Sequence, residues 1–176
     1  MSGFIEHGNN MKLYHRKHPR LKDFDYNQNG CYFVTMCTQD KRCFLSDIVG
    51  RGFLDAPQIG LTEYGSCIDS AIAFLNEKSD KLSIDKYIIM PNHVHILVVI
   101  ENAEDGGASG KPRPTDAMIP KFVSSLKRYT NRACKTELWQ TGYYDHIIRD
   151  EADYMIKWQY IDNNPAKWIE DEYYSE

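Results

Sequence analysis

Two runs rich in aliphatic and β-branched residues, Leu82–Met90 (LSIDKYIIM) and His93–Ile100 (HVHILVVI), are separated only by Pro91 and Asn92. A two-residue gap between strand-like runs leaves room for a tight turn and nothing else, so an antiparallel hairpin is predicted. Upstream, Cys31–Thr38 (CYFVTMCT) has the aromatic and β-branched content of a further strand. A connection punctuated by Gly and Pro follows over Val49–Gly60. Tyr64, Ile68, Ala71, Ile72 and Leu75 then recur at helical spacing, predicting a helix of about 17 residues. Residues 101–117 (ENAEDGGASGKPRPTDA) lack periodicity and read as a mobile loop. A second helix is expected over Ile119–Cys134, a short strand over Tyr144–Arg149, and a third helix over Glu151–Asn163. Asn164-Pro165 should end that helix, because a residue before proline is pushed out of the α region. This order predicts an α+β fold of ferredoxin-like type: a central antiparallel sheet of about four or five strands with helices packed on it.

The 176 residues suffice for one domain, and 42% hydrophobic with 26% charged residues excludes wholesale disorder. No apolar run approaches the roughly 18–20 residues that span a bilayer; the longest, Ile96–Ile100, is strand-sized. Met1–Asn10 has no apolar core of a secretory signal. None of the five cysteines falls in a C-x2-C pair, so reduced, mostly buried thiols in a cytoplasmic protein are expected, with no membrane partner. The net charge of −4 hides a segregation. Glu170, Asp171, Glu172 and Glu176 crowd the last seven residues, and without them acids and bases number 21 each. Residues 11–22 (MKLYHRKHPRLK) carry Lys12, Arg16, Lys17, Arg20 and Lys22 with no acid. The chain therefore divides into a basic arm (1–30), one domain (31–169) and an acidic tail (170–176), and the local basic patch suits a phosphate backbone.

His93 and His95 lie two apart on a predicted strand, so both side chains leave the same face. Two converging imidazoles can share one divalent cation; they can also be ordinary surface histidines at a strand end. The chain has 12 tyrosines, and helical geometry separates two of them. In the second helix Phe122, Leu126, Tyr129 and Ala133 form one stripe, which assigns Tyr129 to the core or its edge. On another face Lys121, Arg128, Arg132 and Lys135 form either a solvated surface or a track for a phosphate backbone. In the third helix Tyr154, Trp158, Ile161 and Pro165 form the buried stripe, and Tyr160 lies roughly 120° away from it. Asn164 is one turn further on, so its amide and the phenol can approach one point.

Together, MPNHVHILV, SLKRYTNR and LWQTGYYDHIIRDEADYMIKWQYIDNNPAKW resemble the single-tyrosine HUH transposases, most of all the REP-associated tyrosine transposase branch. The matching pieces stand in the family's order and cover about half the chain, Tyr87 to Trp168. The resemblance implies an enzyme, a DNA transposase and endonuclease, that binds hairpin DNA and cleaves single-stranded DNA beside it. It implies Tyr160 as the nucleophile that becomes joined to the 5′-phosphate, and His93, His95 and Asn164 as ligands of Mg²⁺ or Mn²⁺. Asn164 stands where insertion-sequence relatives have glutamine. Asp145 and His146 fall within a family-like run and either contact DNA or brace the site. Lys12, Arg16, Lys17, Arg20, Lys121, Arg128, Arg132 and Lys135 are the expected DNA contacts. The competing readings are a non-catalytic hairpin-binding protein and a replication initiator or relaxase-like nicking protein. One chain or a homodimer, with Tyr160 acting in its own site or a partner's, are both open at this level.

Overall fold

The computed structural model describes residues 28–50, 57–101 and 117–174. The basic arm with Lys12, Arg16, Lys17 and Arg20, and residues 102–116 of the expected loop, lie outside the described residues. The elements run β1 (Gly30–Cys37), β2 (Ser46–Val49), β3 (Gln58–Leu61), α1 (Glu63–Glu77), β4 (Leu82–Ile89), β5 (His93–Ile100), α2 (Met118–Cys134), β6 (Tyr144–Ile147) and α3 (Glu151–Asn163). β4, β5, β1 and β6, in that order, form an antiparallel sheet, and β2 pairs with β3 in a separate two-stranded ribbon. The α+β class and the four-stranded sheet match the expectation.

The alternation of β5 organises the layers. Val94, Ile96, Val98 and Ile100 join the main core with Ile68 and Ile72 of α1 and Phe122 and Leu126 of α2. Leu97 points the other way, into a smaller core with Phe33 and Ile161 under α3. Side chains two apart share a face, so His93 and His95 take the parity of Leu97 and lie on the α3 side. α3 is tied to both edges of the sheet. At β6, His146 Nε2 meets Asp153 Oδ2 at 2.8 Å. At β4, Tyr154 donates to Asp85 Oδ2 at 2.9 Å, and Lys86 pairs with Asp162 at 2.6 Å. Asp150 caps the helix by accepting from the Asp153 amide at 2.9 Å. The helix ends at Asn163, as expected, but not for the expected reason: Asn164 keeps right-handed α backbone (φ −58°, ψ −42°), so the following proline has not pushed it out of that region.

Two expectations are corrected. The Val49–Gly60 connection contains part of a real hairpin, because Ser46–Val49 pairs with Gln58–Leu61; strands of four residues are too short to announce themselves by alternation. The buried stripe of α2 is Ile119, Phe122, Val123, Leu126 and Thr130, whereas Tyr129 is 43% exposed. Two stripes pass through Phe122 and Leu126, and a polar residue decides between them. Thr130 is buried because its hydroxyl donates to Leu126 O (2.8 Å) and accepts from Trp139 Nε1 (2.8 Å). Tyr129 instead stacks on Phe74 of α1, centroids 5.4 Å apart.

Gly65 sets how closely α1 approaches the Leu45 backbone. It is buried in the first helical turn, and a Cβ there would overlap the Leu45 carbonyl oxygen. Gly65→Ala should therefore cost about 1–3 kcal/mol by overpacking, lowering the thermal midpoint by about 2–4 °C per kcal/mol. Gly142→Ala, where an added Cβ meets nothing within 4 Å, should leave it unchanged in the same circular-dichroism melt.

Candidate metal and nucleophile site

The site begins at the Pro91-Asn92 turn. Asn92 is fully buried, and its amide nitrogen donates to Lys41 O (3.1 Å) and Tyr173 O (2.7 Å). Both donors being occupied by carbonyls fixes the amide orientation and leaves Oδ1 facing His93 Nδ1 at 2.9 Å. An amide oxygen only accepts, so His93 Nδ1 carries the proton and Nε2 carries the lone pair. His95 Nδ1 is held by Thr35 Oγ1 at 2.8 Å across the β1–β5 register. Orientation of one ring nitrogen by such a partner is what prepares the other to bind a metal.

The two imidazoles are 0% and 1% exposed, with centroids 4.4 Å apart. His93 Nε2 and His95 Nε2 are buried without a hydrogen-bond partner, and so is Asn164 Oδ1. Asn164 lies near enough to act on the charge of His93, yet neither atom completes a hydrogen bond. Asn164 is oriented by its other end, because Nδ2 donates to Asp171 Oδ2 at 2.6 Å. The Tyr160 hydroxyl donates to the same oxygen at 3.2 Å, and Asp171 Oδ1 accepts from the Tyr173 amide at 2.7 Å. One ligand atom from each of His93, His95 and Asp171 lies within 4.8 Å of the others. Tyr160 packs edge-on to His95 (5.1 Å) and Phe33 (5.9 Å). The histidines and the tyrosine helix thus meet within one chain.

Burial shifts every ionisable group here towards its neutral form. It pushes His93 down to about 4, against the opposing pull of Asp171. His95 falls well below the ordinary histidine value, through burial and then through the charge of His93. Both are neutral at pH 7, the form that ligates metal. The Tyr160 phenol is raised by burial first and by Asp171 second, so in this arrangement it holds its proton.

No family model matches the chain. An uncharacterised protein of Haemophilus influenzae is 27% identical over 179 residues, covering 94% of this chain and 96% of that one. A second Haemophilus influenzae protein, provisionally described as a REP-associated tyrosine transposase, is 23% identical over 147 residues (81% and 74%). The REP-associated tyrosine transposase of Escherichia coli K12 is 24% identical over 100 residues (55% and 54%), so the chain spans about half of that relative. The chain is thus a distant relative of REP-associated tyrosine transposases. A solved REP-associated tyrosine transposase bound to a REP hairpin shares the fold, with a TM-score of 0.58, 21% identity, and coverage of 80% of this chain and 69% of that one.

Elsewhere in this transposase homologue, Lys121, Arg128, Arg132 and Lys135 are all exposed on α2. Arg128, Arg132 and Lys135 line one depression with Asn131, Thr136 and Glu137. They are far along the chain and fold from the histidine site, on the helix that covers the opposite face of the sheet. Asp145 is buried, and His146 is taken up by Asp153 in bracing α3. Among the described residues no helix is long and apolar enough to cross a membrane. Sequence reasoning missed Asn92, Thr35, Asp171 and Tyr173. Asn92 stood beside His93 in the motif, but Asp171 was absorbed into an acidic tail by its charged neighbours.

The histidines make a checkable contribution to stability in the metal-free protein. Their folded-state pKa values lie below the unfolded one, so the unfolded chain binds more protons as the pH falls from about 6.5 towards 4. Stability is fully present above that window and is lost on descending through it. Thermal midpoints should drop between pH 7 and pH 4, and a His93→Asn/His95→Asn protein should show a shallower drop. Equal slopes for the two proteins would assign the acid sensitivity to other groups.

Proposed function

We propose that this chain is a metal-dependent single-stranded DNA endonuclease and strand-transfer protein, acting beside DNA hairpins with Tyr160 as its nucleophile. The observation that carries this reading is the convergence of His93 Nε2, His95 Nε2 and Asn164 Oδ1, buried and unpartnered, on the Asp171 carboxylate that also holds the Tyr160 hydroxyl. Buried polar atoms without partners are costly, and two neutral imidazoles with an amide oxygen form a donor set that a divalent cation would satisfy. That set suits Mn²⁺, and Mg²⁺ where water and phosphate oxygens complete the shell. Bound there by His93, His95 and Asn164, with Asp171 within reach, a divalent cation supplies Lewis-acid polarisation of the phosphoryl oxygen and offsets charge on the leaving 3′-oxygen.

The chain's own residues do the rest. Tyr160 Oη attacks the phosphorus, the bond from phosphorus to the 3′-oxygen breaks, and the 5′-phosphate stays on the tyrosine. One phosphodiester replaces another, so no nucleotide cofactor is consumed. The phenolic proton already points at Asp171 Oδ2, the nearest acceptor. Rejoining to a different 3′-hydroxyl reverses the same steps and makes the reaction a strand transfer, the chemistry of DNA transposition and recombination. Arg128, Arg132, Lys135 and Lys121, with the arm 11–22, are proposed to hold the hairpin backbone. A purely hairpin-binding role would need none of the convergent donors.

The test uses a pool of labelled single-stranded oligonucleotides with a fixed stem and randomised flanks, incubated with Mn²⁺. A covalent protein–DNA band is expected, with the DNA located on Tyr160 by mass spectrometry of the digest. Tyr160→Phe should bind but form no adduct, Tyr129→Phe should remain active, and His93→Ala or His95→Ala should lose activity by about 100-fold or more. An adduct on Tyr129, or undiminished cleavage by either histidine variant, would overturn the assignment. Hairpin affinity should fall steeply with salt through counterion release. Charge reversal at Arg128 and Arg132 without loss of affinity would return that face to ordinary surface.

A further inference from the structure

Two other described lysines have clear company. Lys86 is paired with Asp162 at 2.6 Å and sits 4.1 Å over the Trp158 ring. Lys127, on α2, is wrapped by the carbonyls of Gln140 (2.6 Å) and Gly142 (2.7 Å). Lys157 differs. It is half-buried, and its ammonium lies 5.2 Å over the Phe33 ring and 6.0 Å from the Tyr160 ring centroid. Among the described residues it makes no hydrogen bond and no ion pair. The acid nearest to it along the helix, Asp153, is occupied by His146. Its position is nevertheless defined. Phe33, on which it rests, stacks on His95 at 5.0 Å and 24° and meets Tyr160 edge-on at 5.9 Å. One aromatic ring therefore ties together the cation, a proposed metal ligand and the proposed nucleophile. Lys157, Tyr160 and Asn164 are also three and seven residues apart on one helix, so they form a single stripe along α3.

A half-buried lysine whose ammonium lies over aromatic rings, with Asp153 near but taken up by His146, is an arrangement that an anion would complete. The phosphodiester attacked by Tyr160 supplies one at the right place. It has two non-bridging oxygens, and charge on them grows as the fifth bond to phosphorus forms. The His93, His95 and Asn164 donors lie to one side of Tyr160, and Lys157 lies one helical turn away along the same stripe. Resting on the reading of Tyr160 given above, we infer that Lys157 is a catalytic residue that contacts the scissile phosphate and stabilises its second non-bridging oxygen during attack. The bond changes are those already written, and Lys157 stays protonated throughout, so no proton is added to the balance.

The alternative is a lysine whose stem merely covers Phe33 while its head is solvated. Lys157→Met separates the two, because it keeps an unbranched stem and removes the charge. Adduct formation by Lys157→Met should fall by about 100-fold, the scale for losing one preorganised donor to a developing oxyanion. Affinity for a bare hairpin without flanks and the thermal midpoint should match the unmutated chain, and Lys157→Arg should recover part of the rate. Adduct formation by Lys157→Met at the unmutated rate would overturn the inference. A second measurement needs no variant. In EDTA, the unmutated chain should bind its flanked hairpin more tightly than the same oligonucleotide with a neutral methylphosphonate at the cleaved link, and equal affinities would overturn the inference. If the unmutated chain forms no Tyr160 adduct, the proposed function fails and this inference falls with it. A normal adduct with an unaffected Lys157→Met breaks this inference alone.

Discussion

The Asn92 carboxamide is the junction on which the rest of the site depends. Its two donors bind backbone carbonyls of Lys41 and Tyr173, and its oxygen fixes the His93 ring. Its own carbonyl accepts from the Thr38 amide and hydroxyl. The segment after β1, the β4–β5 turn, the C-terminal segment and one imidazole are thereby held by a single fully buried residue, through its side chain and its backbone carbonyl together. No other residue type of that size offers two donors and an acceptor in one plane. Aspartate would lose both carbonyl contacts, and leucine would leave three groups, the two carbonyls and His93 Nδ1, without their partner.

The geometry of the histidines was legible in the sequence, because a period of two is a property of any strand and β5 is a long one. So was the span of α3, although Asn164 keeps α-region backbone ahead of Pro165. The displacement of Tyr160 from the apolar stripe was misread, because Tyr160 packs with Tyr154 and Trp158 against the core of Phe33, Leu97 and Ile161. The stripe of α2 was misread at Tyr129. The residue that takes the buried position there is Thr130, whose hydroxyl finds partners that only the folded chain supplies. The short β2–β3 pair was hidden by its length. The largest omission was Asp171. Set among Glu170 and Glu172 it read as part of a solvated tail, yet it accepts from Asn164, Tyr160 and Tyr173. Composition averages over neighbours, and here Asp171 has an environment that the exposed Glu170 and Glu172 do not share.

The electrostatics of the site favour ligation over proton chemistry at the imidazoles. Burial keeps both neutral, and the hydrogen bond to Asn92 settles which nitrogen of His93 is free. The phenol presents the opposite situation, since burial and Asp171 raise its pKa. A neutral phenol is a poor nucleophile, so the proposed reaction requires positive charge near Tyr160 at the moment of attack. A divalent cation on the histidine side and the ammonium of Lys157 on the other would supply it.

The central claim is that one chain completes the site, with β5 and α3 of the same molecule bringing His93, His95 and Tyr160 together. A mixing experiment tests it most directly, under conditions in which the unmutated chain forms its covalent DNA adduct. A chain lacking both imidazoles (His93→Ala/His95→Ala) is combined in equal amounts with a Tyr160→Phe chain. Neither contains a whole site, and if each site is built within one chain the mixture should form no adduct. Recovery of adduct in the mixture would show that the tyrosine helix of one molecule serves the histidines of another, and would contradict the account.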